Sequence, residues 1–318
     1  MKILIIGKGV IGSIYAHQFS KNGFEVYHYV RQINDELSTS IKIDILDKAT
    51  KKIETGKYTY TFTDKLTSDY DLIIVSIRHY QLLSLLEKIS PLNIPTLVFG
   101  NVWTELSNIK SLFKNPENIF FGMPRAGGAI FNNKLEGAIL EEIILEERSS
   151  KNVYNQIVNL FETSGRKIVT IKNMRDWYWT HFATTSAWIC GGVKAKGFIP
   201  FSKSYGAIKD SLNAGKEAIE IVKARGANIN VCIDIKPFLL PTWISVIITK
   251  IVLSQEETIR ISAGHGDYAP TEMTKIYEDI VNKGKELKCK TTLLENYKVY
   301  FDAMNETPVA AQADLLTQ

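Results

Sequence analysis

The sequence predicts an α/β protein in which an N-terminal, doubly wound parallel sheet is followed by an all-helical C-terminal domain. In the first half, short apolar runs alternate with segments of helical periodicity, which is typical of strands joined by crossover helices. After a strand predicted at residues 167–171, nearly every segment up to about residue 305 has helical spacing. We therefore predict one domain at residues 1–173 and a second at residues 174–318.

The composition is that of an ordinary globular protein. The 318 residues suffice for about two domains, and the net charge of +4 is too mild to indicate a nucleic-acid partner. Three widely separated cysteines, Cys190, Cys232 and Cys289, are interpreted as small buried apolar residues, not as a disulfide framework or metal cluster. The most apolar stretch, 243–253, is interrupted by Lys250 and is too short to span a bilayer. We expect a cytoplasmic protein without membrane partners.

The chain begins with a strand, a glycine turn and a helix, in that order. The apolar run at residues 3–6 is followed by glycines in G-x-G-x-x-G spacing, and then by an amphipathic segment that ends at Asn22-Gly23. In this context the glycines permit a tight turn and close backbone approach to a diphosphate, which the free amides of the helix start would bind. We therefore predict a Rossmann-type dinucleotide site formed by Gly7, Gly9, Val10, Ile11 and Gly12.

The remaining elements follow from periodicity and from turn residues. The run at 71–76 is apolar throughout, as expected for a strand buried in a parallel sheet. A loosely held tail is predicted at 307–318. The other predicted strands are 25–29, 41–46, 59–63, 96–99, 119–123 and 137–146, and the predicted helices are 81–92, 105–113, 153–163, 207–224, 243–253, 271–287 and 293–304.

The end of the second strand indicates which dinucleotide is bound. NAD-preferring sites usually have an acidic residue about 20 residues after the glycines, where it accepts the ribose hydroxyls. Here the strand ends at Arg31, and Asp35 lies several residues beyond it. A guanidinium can bind a 2′-phosphate through two charge-assisted hydrogen bonds. The sequence thus favours NADPH over NADH, the alternative being that Arg31 is an ordinary surface residue.

Polar residues also follow two later strands. Arg78 and Gln81 come after the strand at 71–76, and Asn101 follows the strand at 96–99. Ligands of doubly wound sheets bind outside the carboxyl ends of the strands, so we expect all three side chains to face the cofactor crevice.

Two segments of the second half carry candidate functional residues. One contains Trp179, His181 and Thr185 near the start of the helical domain. The other, residues 262–273, begins at Ser262 and leads through a predicted glycine-containing loop into a helix. In that loop, His265 and Asp267 are too few to form a metal site, and we predict no metal.

Taken together, these motifs resemble the ketopantoate reductase family from Met1 to about residue 302. The resemblance rests on the glycine turn, Arg31, Arg78 with Gln81, Asn101, a tryptophan-containing helix start and Thr271-Glu272. It implies an NADPH-dependent reductase of a 2-oxo acid. The two arginines would bind the adenosine 2′-phosphate, Asn101 would lie near nicotinamide and substrate, and Glu272 would bind the substrate hydroxyl.

The chain departs from the family at the position of the catalytic acid. In the family a lysine two residues after the tryptophan donates the proton, and alignment on Trp179 places His181 there. Thr185 stands where the family has asparagine, and Val102 follows Asn101 where glycine is usual. Protonated imidazole can hydrogen-bond a developing oxyanion and then donate its proton, since its pKa of about 6.5 lies near working pH.

We therefore predict catalytic roles for His181, Glu272 and Asn101, and substrate contacts for Thr185, Ser262 and Glu272. Each has a simpler alternative: His181 as a hydrogen-bonded helix residue, Glu272 as an acid complementing the helix dipole, and Ser262 as a helix cap.

The predicted function is reduction of a small 2-oxo acid by NADPH. Whether the substrate is ketopantoate stays open, because the altered positions are those that the family uses to bind it. Two alternatives remain: a sensor that binds NADP(H) or a metabolite without turnover, and a dehydrogenase of the opine or sugar-acid type. A homodimer is compatible with the helical domain, although no pairing face is evident from the sequence.

Overall fold

The computed structural model describes residues 1–33, 39–149, 152–268 and 270–306, with the backbone alone described at 263–268. The chain divides into two compact units, Met1–Met174 and Arg175–Gln318. The predicted fold class is confirmed: a mainly parallel sheet with helices is followed by a helical region. Among the described helices, none combines the length and apolar character that crossing a bilayer requires.

The first unit contains two sheets and four α-helices within the described residues. The helices are α1 (Val10–Lys21), α2 (Leu82–Ile89), α3 (Leu106–Lys110) and α4 (Asn152–Thr163). The strands are β1 (Lys2–Ile6), β2 (Glu25–Tyr29), β3 (Ser40–Asp47), β4 (Lys52–Thr59), β5 (Phe62–Thr63), β6 (Leu72–Val75), β7 (Thr96–Phe99), β8 (Ile119–Met123), β9 (Ala126–Phe131), β10 (Lys134–Ile139), β11 (Glu142–Glu146) and β12 (Lys167–Ile171).

The larger sheet has eight strands in the order β12-β11-β8-β7-β6-β1-β2-β5. All neighbouring strands run parallel except β11 and β8. The three central strands β1, β6 and β7 are almost completely buried because they present apolar side chains to both faces. Since β1, β2, β6 and β7 are parallel, the segments that follow them emerge at the same edge of the sheet.

A second sheet has the order β4-β3-β10-β9, and here several predictions were wrong. The strand predicted at 59–63 is replaced by β4 and the short β5. Because β4 is mostly polar and exposed, it lacks the apolar alternation that marks a strand. The run at 137–146 is divided between β10 and β11, which belong to different sheets. Strand β9 was missed because its two glycines, Gly127 and Gly128, weaken the strand signal.

The second sheet is tied to the start of β12 by a buried ion pair. The Arg166 guanidinium donates to both carboxylate oxygens of Asp47, at 3.1 and 2.7 Å, and also to the carbonyl of Leu140 at 3.0 Å. Both charged side chains are buried, and the arginine makes further use of its donors on the Ser164 carbonyl. Such a bidentate pair fixes the end of β3 against the segment that precedes β12.

The helices of the second unit differ from prediction at two places. The helix predicted at 293–304 is interrupted at Asn296-Tyr297, and the predicted loop around His265 and Asp267 is helical. Acidic residues Glu256 and Glu257 in the first turn favour this helix. The described helices are α5 (Met174–Lys194), α6 (Phe198–Lys203), α7 (Tyr205–Ala224), α8 (Lys236–Leu239), α9 (Thr242–Leu253), α10 (Glu256–Tyr268), α11 (Pro270–Glu286), α12 (Thr292–Glu295) and α13 (Lys298–Glu306).

Apolar side chains from α5 to α9 form the buried core of the second unit. Phe201 and Phe238 pack with Leu212, Ile219 and Val246 in this cluster. Helix α7, the longest after α5, contacts α6, α8, α9, α11 and α12, and so forms the central element of the unit. The predicted tail at 307–318 and Asp35 lie outside the described residues.

Candidate functional site

The three glycines of the first turn serve different purposes. Gly7 has a φ of +128°, and a Cβ there would lie 2.0 Å from the carbonyl oxygen of Ser76. A Cβ on Gly12 would lie 1.9 Å from the carbonyl oxygen of Gly7. At Gly9, in contrast, a Cβ would meet no atom within 4 Å. Gly7 and Gly12 are therefore required by packing within the protein, whereas Gly9 leaves space for an outside group.

The start of α1 offers hydrogen-bond donors beside that space. Gly9 is the N-cap residue and supplies no side-chain cap. The amides of the first turn, including those of Val10, Ile11 and Gly12, have no carbonyl of their own helix to bind. Together with the dipole of α1 they form an anion-binding position, so the residues present fit the diphosphate of a dinucleotide.

Lys8 adds a cation to this turn, which the sequence motif alone did not single out. Its ammonium lies 5.1 Å from the ring centre of Tyr60 and 5.2 Å from that of Phe62. Burial lowers the pKa of this ammonium. The Tyr60 hydroxyl lies 2.8 Å from the hydroxyl of Ser13 on α1, so the two aromatic rings are held close to the glycine turn.

A cleft of about 410 Å³ lies at the carboxyl ends of β1 and β2. Arg31, which follows β2, and Gln81, which follows β6, both line it. The structure adds Lys88 and Ser84 from α2, which sequence reasoning missed because helix periodicity does not show which side faces the cleft. Two exposed cationic side chains, Arg31 and Lys88, therefore face one concave surface, which suits a phosphate.

Arg78 and Asn101 lie near the same edge but not in the lining of this cleft. The Arg78 guanidinium donates a hydrogen bond to the hydroxyl of Tyr80 at 3.1 Å, and Tyr80 itself lines the cleft. Asn101 follows β7 and is half-buried. The neighbouring Val102 is almost completely buried, so the residue that departs from the family pattern is used for packing.

In the second unit, His181 lies near the middle of α5 among polar and aromatic partners. Its Nδ1 atom is 2.8 Å from Oδ2 of Asp234, and its Nε2 atom is 3.4 Å from the hydroxyl oxygen of Thr185. The imidazole stacks on Trp177, with 4.9 Å between ring centres and 14° between ring planes. Residues 177, 181 and 185 share one face of α5 because they are four residues apart.

The pair of His181 and Asp234 has the arrangement of a proton donor held by a carboxylate. A carboxylate oxygen at this distance accepts a hydrogen bond from Nδ1, which fixes the orientation of the ring and leaves Nε2 as the atom that can exchange a proton with a substrate. The two side chains are 21% and 28% exposed, so they are partly desolvated yet accessible. Asp234 was missed from sequence because it lies in a separate short turn with no spacing relation to His181.

Within the described residues, the same place brings three metal-ligating side chains together. The donor atoms of His181, Cys232 and Asp234 lie within 4.8 Å of one another, and Cys232 is fully buried. Tetrahedral ligands of zinc bound at about 2.0–2.1 Å are separated by about 3.3 Å. The separation of 2.8 Å between Nδ1 and Oδ2 is shorter and is that of a hydrogen bond. The geometry favours a proton-transfer pair over a metal centre.

The remaining predicted residues are found on two helices of the second unit. Ser262 lies within α10, half-buried, and is therefore not at a helix start as a cap would be. Glu272 is half-buried in the first turn of α11, where its charge also complements the helix dipole. Of the predicted substrate residues, Thr185 lies in direct contact with His181.

Comparison with known proteins agrees with the sequence resemblance. Residues 3–131 match the family model described as ketopantoate reductase PanE/ApbA. This match confirms the resemblance over the part of the chain from β1 to β9. None of the curated proteins matches the sequence.

Solved structures share the fold over almost the whole chain at low identity. A dimeric ketopantoate reductase from Staphylococcus aureus is 13% identical, with a TM-score of 0.67 over 96% of this chain and 100% of that one. A PanE/ApbA family ketopantoate reductase from Ralstonia eutropha JMP134 is 14% identical, with a TM-score of 0.68 and the same coverage. D-mandelate dehydrogenase with NADH and anilino(oxo)acetate is 18% identical, with a TM-score of 0.65 over 96% and 100%.

Proposed function

We propose that this chain, which matches the ketopantoate reductase family model over residues 3–131 and has that fold over nearly its whole length, is an NADPH-dependent reductase of a small 2-oxo acid. The observation that carries the proposal is the contact of 2.8 Å between His181 and Asp234. Where the family has a lysine, this chain has an imidazole supported by a carboxylate, so the proton donor is replaced and not merely lost.

The cofactor proposal rests on the first unit. Gly9 and the first-turn amides of α1 would bind the diphosphate, and Lys8 adds positive charge beside it. Arg31 and Lys88 would bind the 2′-phosphate in the cleft that they share, with Gln81 beside them. Arg78, whose guanidinium donates to the Tyr80 hydroxyl at the cleft, would add a further positive charge for the 2′-phosphate. Asn101 would orient the nicotinamide end of the cofactor and the substrate. NADPH is favoured because the charged side chains among the described residues that line this cleft, Arg31 and Lys88, are both cationic.

The reaction needs a hydride and a proton, and the bound cofactor supplies the hydride to the carbonyl carbon. His181 donates the proton from Nε2 to the carbonyl oxygen as negative charge develops there. Asp234 accepts the hydrogen bond from Nδ1 throughout, which holds the ring in place for the transfer. Trp177 restricts ring rotation by stacking. Glu272, Thr185 and Ser262 are proposed to bind the substrate.

The substrate class follows from the same chemistry and from the neighbours. A 2-oxo acid presents a ketone carbonyl that can accept a hydride and a proton. Anilino(oxo)acetate, present with NADH in the D-mandelate dehydrogenase structure of this fold, resembles such an acid, with an amide carbonyl in place of the ketone. We propose that ketopantoate is one candidate among small 2-oxo acids, since His181 and Thr185 differ from the residues that the family uses.

The test is NADPH oxidation by the full chain across a panel of 2-oxo acids that includes ketopantoate, pyruvate and phenylglyoxylate. Wild type should turn over at least one acid. His181→Ala should lower kcat for it about 1000-fold and Asp234→Asn roughly 100-fold, as expected for losing or mispositioning a general acid. Asp210→Asn is the matched control, because Asp210 pairs with Lys194 on the surface of the same unit, and it should leave kcat unchanged.

Binding measurements separate the alternatives. NADPH affinity, followed by the fluorescence of the reduced nicotinamide, should be the same in wild type and in both site variants. Tight NADPH binding without turnover of any acid would contradict the enzyme proposal and support a sensor. Equal kcat values for wild type and His181→Ala would show that another group donates the proton.

A further inference from the structure

The pair of His181 and Asp234 has a third neighbour that the proposed reaction does not use. The thiol of Cys232 lies within 4.8 Å of the donor atoms of both side chains. Cys232 is completely buried, whereas the side chains of His181 and Asp234 are 21% and 28% exposed. An ion that enters from solvent would therefore meet the imidazole and the carboxylate first and the sulfur beneath them.

The chain around Cys232 keeps the sulfur close to the carboxylate. Cys232 immediately precedes the short turn Ile233–Ile235, which contains Asp234. Ile235 is buried in the apolar core of the second unit and anchors this turn. His181 is supplied by α5, where its ring is held by aromatic stacking. The fold thus positions the imidazole and the sulfur, and the partly exposed carboxylate has room to adjust.

The three side chains have the chemistry of a zinc site. Thiolate and imidazole are preferred ligands of Zn²⁺, and carboxylate is accepted beside them, whereas Mg²⁺ and Ca²⁺ prefer oxygen ligands throughout. One thiolate and one carboxylate carry two negative charges, which balance the charge of the ion in a partly buried place. In zinc sites with three protein ligands, water takes the fourth position.

We propose that His181, Cys232 and Asp234 bind one Zn²⁺ ion, which replaces the proton that His181 shares with Asp234. The contact of 2.8 Å between Nδ1 and Oδ2 is the hydrogen bond of the metal-free protein. Zinc ligands stand about 3.3 Å apart when they are nitrogen and oxygen, and about 3.6 Å apart when one is sulfur. The pair therefore has to open by about half an ångström and the sulfur to approach by about 1 Å at most, which small side-chain rotations supply.

Zinc bound in this way would block the proton donor, a consequence that rests on the proposed function of His181. Binding releases the proton of Nδ1 and that of the Cys232 thiol to solvent, because both atoms bind the metal through a lone pair. The ring is then neutral, and its remaining N–H on Nε2 is a much weaker acid than that of an imidazolium. We therefore expect Zn²⁺ to lower kcat and EDTA to restore it.

Titration with Co²⁺ tests the site without any turnover, because Co²⁺ occupies zinc sites and a thiolate bound to it gives a charge-transfer band. The full chain, first dialysed against EDTA, should bind one Co²⁺ ion per chain with this band, and Zn²⁺ should displace it. Cys232→Ala should lose the band. Cys289→Ala is the matched control, since Cys289 is half-buried after α11 and contacts the Leu287 carbonyl, and it should retain the band.

Inhibition of NADPH oxidation by Zn²⁺ is measured on the same proteins. Without zinc, Cys232→Ala should have the wild-type kcat. It should require at least about 100-fold more Zn²⁺ for half inhibition, because a direct ligand contributes more than the outer partners whose loss costs 10- to 100-fold. Cys289→Ala should be inhibited like wild type. Far-UV circular dichroism checks the fold, and Cys232→Ser replaces Cys232→Ala if that variant does not fold.

The outcomes separate the zinc site from the reductase proposal. Absence of the charge-transfer band in wild type would overturn the zinc site, and so would equal inhibition of wild type and Cys232→Ala. In either case, turnover that depends on His181 would leave the reductase proposal intact. A wild type that binds Co²⁺ through Cys232 but reduces no 2-oxo acid would support the zinc site and contradict the reductase.

Discussion

The buried imidazole of His28 makes the stability of the first unit depend on pH. It is fully buried on β2, with Nε2 3.0 Å from the hydroxyl of Tyr58 and its ring against that of Tyr60. Burial, with a smaller contribution from the charge of Lys8, lowers the pKa of His28 to about 4. The protein therefore holds this ring neutral over a range where the unfolded chain, with a pKa of about 6.5, binds a proton.

Stability should accordingly be lost as the pH falls. The contribution is fully present above pH 6.5 and decreases towards pH 4, since the unfolded state gains a proton that the folded state does not accept. Between pH 7 and pH 4, wild type should lose about 3 kcal/mol of unfolding free energy more than the non-titrating variant His28→Gln. Urea unfolding of both proteins at several pH values measures this difference. Parallel profiles would contradict the assigned pKa.

Single residues also show how far the candidate site could be predicted. His181 was identified because it occupies a position in a family pattern, and Arg31 because it ends a predicted strand. Asp234 could not be identified, because its contact with His181 depends on how the turn at 233–235 packs against α5. Lys88 could not be identified for a related reason: which exposed residues of α2 face the cleft depends on how the helix packs against the sheet.

At the level of elements, the glycine turn provides a pair of substitutions, of which one is expected to lower stability and the other is not. Gly12→Ala places a methyl group against the carbonyl of Gly7 and should destabilise the fold by about 3 kcal/mol. This would lower Tm by roughly 5–10 °C. Gly9→Ala has room for its methyl group and an extended backbone that alanine adopts freely, so Tm should be unchanged.

For the affinity for NADPH, the substitution expected to have a direct effect is Gly9→Ala, which leaves Tm unchanged. The methyl group of Gly9→Ala would occupy the space proposed for the diphosphate and should weaken NADPH binding at least about 10-fold. Differential scanning fluorimetry gives Tm, and a fluorescence titration gives the NADPH dissociation constant. If Gly9→Ala bound NADPH as tightly as wild type, the diphosphate would have to bind elsewhere.

Elements with strong periodicity were predicted closely, whereas those defined by distant partners were not. Strands β1, β2, β7 and β8 and helices α1 and α7 have apolar patterns that specify them locally. The second sheet depends on pairing between β3 and β10, in which Lys42 lies opposite Lys134. No local signal specifies such a long-range partner, and polar β4 has few apolar residues to reveal it. The sequence of α10 predicts a loop because it contains Gly264 and Gly266, whereas its acidic first turn favours the helix that the structure shows.

In the whole molecule, the proposed functions are divided between the two units. The glycine turn and the cleft with Arg31 lie in Met1–Met174, and the pair of His181 and Asp234 lies in the unit that begins at Arg175. The fold class could be predicted from the change in periodicity near residue 173. Which side chains of the second unit contact one another could not, because helical periodicity specifies a buried face but not its partner.

This division predicts that substitutions in the two units change different kinetic parameters. Arg31→Ala removes a charged contact to the 2′-phosphate and should raise the NADPH dissociation constant about 10- to 100-fold, with kcat at saturating NADPH unchanged. Asp234→Asn should lower kcat and leave the NADPH dissociation constant unchanged. The double variant should show both effects at full size, because independent sites contribute additively to the free energy.

Steady-state kinetics and NADPH titrations of the four proteins measure this cycle. Lys21→Ala is the control for Arg31→Ala, since Lys21 is an exposed cation of the same unit that pairs with Glu54 outside the cleft. It should leave both parameters unchanged and so exclude a general effect of removing positive charge. NADH provides a second control: without a 2′-phosphate, its affinity should be the same for wild type and Arg31→Ala. A change in NADPH affinity caused by Asp234→Asn would contradict the division, because the carboxylate would then act on cofactor binding and not on proton transfer alone.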